Sequence, residues 1–144
     1  MTVWVGYTNI MSVLPVEDNI TLNLNLVLLF FVSIEPYLFY LNITFDLLTH
    51  EVFLNLASVL YALDMTGLML ILALFMHELA KEEKELVPKD SVRRVKRRRN
   101  ELYVSAGLFA VTILPVFWTV HLWGQPVRFY FWFIPLVMAL VMPR

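Results

Sequence analysis

The chain of 144 residues has no cysteine, only four glycines and few charges, which make up 16 % of it. Without thiols there is no disulfide framework, no thiolate metal site and no cysteine nucleophile, and the redox compartment leaves no signature. No Gly-rich phosphate loop and no H-E-x-x-H pattern occurs. The three histidines, His50, His77 and His121, are dispersed and form no pair at i and i+4, so no metal site is expected. No Ser-His-Asp or paired-carboxylate arrangement is placed for catalysis, and the expectation is a protein that is not an enzyme and uses no cofactor. The first residues, Met1 to Pro15, lack the basic start and small-residue cleavage site of a signal peptide and are read as part of the mature chain.

What the chain has is apolar surface. Hydrophobic residues account for 60 % of the sequence, and the mean hydropathy is +0.71, more than the core of an ordinary water-soluble domain absorbs. A hydrocarbon layer roughly 30 Å thick needs about 20 mostly apolar residues per helix. Four blocks approach this requirement: Ile20 to Leu41, Val52 to Leu79, Glu101 to Trp123 and Val127 to Met142. They are too long for strands and show no period-2 alternation. The expected fold is an all-α membrane protein of four transmembrane helices, with an N-terminal segment over residues 1–19 and the helical domain over 20–144. The last block is the shortest, at about 24 Å, and needs part of the Gly124, Gln125 and Pro126 turn, or local thinning, to cross.

Charge sets the expected orientation. Nine of the eleven Lys and Arg residues fall between Lys81 and Arg99, whereas the Asn42 to Glu51 connection has none and the Gly124 to Arg128 connection has only Arg128. Short cytoplasmic loops carry the Lys and Arg excess. Residues 80–100 are therefore expected as a cytoplasmic basic loop, with both termini on the same side, giving a multi-pass protein of the cell membrane with N-in, C-in topology. The run Ser91 to Arg99, with Arg93, Arg94, Lys96, Arg97, Arg98 and Arg99, could bind anionic lipid or nucleic acid. Because it abuts the third block, it is read as a topology signal facing the lipid bilayer, with no nucleic-acid partner.

Polar residues inside the blocks are the candidate sites. Asp64 lies near the middle of the second block, where an ionised carboxylate costs roughly 2.5 to 3.5 kcal/mol. It reads either as an ion-pathway or proton-relay group or as a hydrogen-bonded residue that fixes packing. Glu35, beside Pro36, lies nearer the interface. Asn25, Ser33 and Tyr37 share a stripe at multiples of four, suited to bonds between helices. Ser58, Ala62 and Thr66, and Ala106 with Ala110, are small residues at the spacing that lets helices approach closely. Pro36 and Pro115 are expected to kink their helices. The aromatic run Phe129 to Phe133, with Tyr103, Trp118 and Trp123, reads as an interfacial belt. Asn19-Ile20-Thr21 and Asn42-Ile43-Thr44 match the glycosylation pattern, and only the second is expected outside.

The stretch Asn25 to Tyr37, N-L-V-L-L-F-F-V-S-I-E-P-Y, resembles the third helix of the prokaryotic relatives of the endolysosomal potassium channel known as transmembrane protein 175. Asn25, Ser33, Pro36 and Tyr37 fall in register with that family's pattern, as does Asp18 at the helix start. Ala57 to Asp64, A-S-V-L-Y-A-L-D, is similar to the family's fourth helix, and the basic linker, followed by two helices with Ile134 and Pro135 in the second, is similar to its last two. Asp64 departs from the usual Asn, and Glu35 from an apolar residue. The resemblance implies helices three to six of a six-helix unit that assembles around a pore, passive potassium conduction and no chemical turnover. It also implies that the pore-lining first helix, with its Phe-Ser-Asp triplet, has no counterpart in this sequence; Tyr7-Thr8-Asn9 resembles the end of the second helix. A homo-oligomer, or a partner that supplies the missing helices, is the expected assembly. A non-conducting scaffold or accessory subunit is the alternative.

Overall fold

A computed structural model describes residues 19–47, 51–81 and 89–141. Their order is α1 (Asn19–Leu47), α2 (Glu51–Leu79), α3 (Lys89–Val111), a short α4 (Val116–Thr119), β1 (His121–Leu122), β2 (Gln125–Pro126) and α5 (Val127–Val141). The described chain is mostly helical. Two stretches, Leu22–Asn42 in α1 and Asn55–Leu79 in α2, are long and apolar enough to cross a membrane.

The helix α2 lies between α1 and α3 and packs along both. Three side-chain pairs fix how α1 meets α2. Asn42 lies against Ser58, the Phe39 ring against Tyr61, and Phe31 against Gly67. As one number falls the other rises, so the pair is antiparallel. On α1 the positions turned inward are Leu24, Leu28, Phe31, Val32, Leu38 and Asn42, a stripe at the three-to-four spacing of one helix face. Leu22, Leu26, Val27, Leu29, Phe30, Phe39 and Tyr40 face outward. The core is built from Leu28 of α1, Leu68, Ile71, Leu72, Ala73, Phe75 and Leu79 of α2, and Leu102 of α3. A Cβ at Gly67 would lie 2.7 Å from Phe31 Cζ, so a larger residue there displaces the Phe31 ring. Ser58, Ala62 and Ala106 are buried as expected of small residues at helix contacts.

The third block differs from the expected single span over 101–123. Its helix starts at Lys89, inside the segment expected as a basic loop, and ends at Val111. The early start has a physical cause: Lys and Arg are good helix formers, and Val92, Val95 and Arg98 continue, at three-residue spacing, the inward face formed by Leu102, Ser105, Ala106 and Phe109. Glu101 adds ion pairs one turn on, at 3.2 Å to Arg97 and 3.1 Å to Arg98. The early end follows from Pro115, which has no N–H for the Val111 carbonyl and whose ring crowds it. The chain tightens first, with the N–H groups of Thr112, Ile113 and Leu114 bonding three residues back to Phe109, Ala110 and Val111. Pro115 thus ends a helix and caps α4, whereas α1 continues through Pro36.

Between α4 and α5 the chain makes a two-residue hairpin in which His121 pairs with Pro126 and Leu122 with Gln125. Both turn residues have positive φ, 50° at Trp123 and 80° at Gly124, the pattern that matches strand twist in such turns. The fourth block is helical over Val127–Val141 and includes Pro135. At roughly 22 Å it is shorter than a full crossing.

Candidate functional site

The α1–α2 seam carries two polar layers. In the first, Asn42 Nδ2 donates to the carbonyls of Leu38 at 2.9 Å and Ala57 at 3.2 Å, and Asn42 Oδ1 accepts from the Ser58 hydroxyl at 2.6 Å. Asn42 is 7 % exposed, so it sits inside the seam and is not presented as a glycan acceptor. Every polar atom in this layer has a partner, as a buried amide requires.

The second layer lies about one and a half turns further along α2 and is built differently. Asp64 is only 2 % exposed, and neither of its carboxylate oxygens has a hydrogen-bond partner. The register of the helix pair sets Glu35 of α1 opposite positions 64 and 65. Glu35 itself is half-buried, so one carboxyl group is sealed in the seam and the other reaches its margin. Across the bundle, the Tyr61 ring meets Trp132 of α5 with centroids 4.9 Å apart. The Trp132 indole N–H donates to the Thr112 hydroxyl at 3.1 Å, and the Trp118 indole N–H donates to the Thr112 carbonyl at 3.1 Å. Thr112 Oγ1 in turn donates to the Phe109 carbonyl at 2.7 Å. Thr112 thereby ties the end of α3 to α4 and α5.

The other expected site residues are spread out. Ser33 is exposed and donates to the Leu29 carbonyl of its own helix at 2.6 Å, and Tyr37 is 62 % exposed, so the stripe expected to bond between helices turns outward at both. Asn25 is half-buried on α1. Arg93, Arg94, Lys96 and Arg97 are exposed, and Arg98 and Arg99 half-buried, on α3. Arg99 Nη1 lies 3.2 Å from His77 Nδ1; guanidinium has only donors, so the ring nitrogen accepts. Asp18, Tyr7-Thr8-Asn9 and His50 lie outside the described residues.

One buried charge escaped the sequence reading. Arg128, the second residue of α5, is 1 % exposed. Its Nη1 donates to Asn55 Oδ1 at 3.0 Å, and its guanidinium lies 5.2 Å from the Phe129 ring centroid. Nε and Nη2 have no partner. Asn55 precedes Asp64 by nine positions, about 13 Å along α2, so the two buried charges occupy different levels. Among the described residues no group of three or more His, Cys, Asp or Glu side chains is placed to hold a metal ion.

Comparisons with family models, curated proteins and solved structures gave no match.

Proposed function

We propose that the chain is a multi-pass subunit of the cell membrane that takes part in passive potassium movement, either as a homo-oligomer or beside a partner that supplies pore-lining helices. In this reading the chain crosses the bilayer four times, with the basic end of α3 and both termini in the cytoplasm, and performs no chemical turnover. The observation that carries it is the outward face of α1, where Leu22, Leu26, Val27, Leu29, Phe30 and Phe39 stand exposed along a helix long enough to cross hydrocarbon. Lipid or other helices are the surroundings that suit such a face. The third crossing is then made by the broken segment from α3 through α4, whose freed backbone groups are held by Trp118 and by the three-residue-back bonds.

The potassium assignment rests on the resemblance over Asn25 to Tyr37 and Ala57 to Asp64. The seam of a single copy is filled by Leu28, Leu68, Leu72 and Phe75, so an ion path belongs between copies or between this chain and a partner. The same filled seam, with the absent Phe-Ser-Asp triplet, supports the second reading, a non-conducting scaffold or accessory subunit.

Potassium flux into liposomes carrying the purified chain separates the two, with valinomycin as positive control and empty liposomes as negative. Flux above the empty vesicles supports a conducting oligomer. Background flux from protein shown to be folded and inserted supports the accessory subunit. A reporter fused after Lys89 tests orientation, and an external signal overturns it.

A further inference from the structure

Among the described residues, the second polar layer of the seam has no positive charge beside it. The helix register sets Glu35 of α1 opposite positions 64 and 65 of α2, and Asp64, sealed in the seam, has no donor for either oxygen. Among the described residues, no element packed around the layer supplies a compensating cation. On α1, Glu35 is the only charged residue between Asn19 and Asn42; on α2, Tyr61 is the titratable neighbour. On α3 there is no charged residue between Glu101 and Val111, and on α5 the one cation, Arg128, is held at the level of Asn55. A buried carboxylate left without donor or counter-charge is strongly disfavoured.

One turn beyond Asp64 the Phe31 ring closes the seam, since a Cβ added at Gly67 would lie 2.7 Å from Phe31 Cζ; a proton is the cation that needs no further room there.

We propose that Asp64 and Glu35 form a proton-binding site in the α1–α2 seam, in which the carboxyl pair holds one proton and exchanges it with the surroundings through the half-exposed Glu35. The bound proton turns one carboxyl of the pair into an O–H donor, with the other carboxylate as its acceptor. On release, the proton leaves from a Glu35 oxygen and the pair regains its negative charge. This site goes beyond the potassium reading and rests only on the helix pair, so it can hold in a chain that conducts nothing.

Infrared spectroscopy of the full chain in lipid nanodiscs at neutral pH tests the site, since a protonated carboxyl in apolar surroundings has a carbonyl band separate from ionised carboxylates. The native chain is expected to show that band, Asp64→Asn to lose it, and Glu35→Gln to shift it, each with unchanged helical circular dichroism. The Glu35 variant keeps the test open if the Asp64 variant does not fold. Only ionised carboxylate bands in the folded native chain, or a band that survives unshifted in both variants, overturns the proposal. So does loss of the band on adding thallium or potassium at constant pH, which would make the site one for a metal cation.

Discussion

The two polar layers of the α1–α2 seam are separated by about one and a half turns of α2 and obey opposite rules. At Asn42 and Ser58 every donor and acceptor is matched within the pair of helices. At Asp64 and Glu35, a carboxylate is buried with both oxygens unmatched. A matched layer fixes register, because sliding the helices by one residue breaks several bonds at once. An unmatched layer does nothing for register and destabilises the apo pair unless something binds. The first layer therefore reads as architecture, whereas the second contributes nothing to it.

The sharpest way to break this contrast is to force the seam apart. Gly67→Leu, one turn from Asp64, is expected to destabilise the helix pair by roughly 3 kcal/mol through overpacking against Phe31, read by reversible unfolding in mixed micelles. Next, Asn42→Leu should lower stability by about 2 kcal/mol, since it strips partners from the Ser58 hydroxyl and the Ala57 carbonyl. Read at a pH high enough to strip the proton from the pair, Asp64→Leu should act in the opposite direction and raise stability by about 1 kcal/mol, because it then removes an unmatched group instead of a matched one. Equal losses from Asn42→Leu and Asp64→Leu would erase the distinction between the layers. A double-mutant cycle on Asn42→Ala and Ser58→Ala should give a coupling of about 0.6 kcal/mol, typical of interhelical hydrogen bonds in bundles of this kind. The smallest effect is expected outside the seam, where Arg97→Ala breaks an exposed pair with Glu101 and should cost about 0.3 kcal/mol.

How much of this was legible in the sequence differs from one residue to the next. The long apolar blocks announced α1 and α2, since helix length and composition are local properties. The start of α3 was hidden by the Lys and Arg run, which reads as a solvated loop if charge alone is weighed. Val92 and Val95, in phase with Leu102 and Phe109, were the signal that it is helical. Pro115 was visible as a helix disturbance, but whether a proline kinks or ends a helix depends on the turns around it, and here the three-residue-back bonds decide for an end. Asp64 and Glu35 stood out separately; their meeting required the register, which is set by distant contacts at Asn42 and Phe31. Arg128 gave no local sign of burial, because the Asn55 that holds it lies in another helix. Asn42 matched a glycosylation triplet whose pattern contains nothing about burial.

The unbroken run of α3 from Lys89 to Val111 makes it a rod roughly 34 Å long. Its first half carries the basic run Arg93 to Arg99, and just past the other end Thr112 joins two indoles. One continuous element therefore joins the basic run to the Thr112 junction, with Leu102 and Ala106 packed in between.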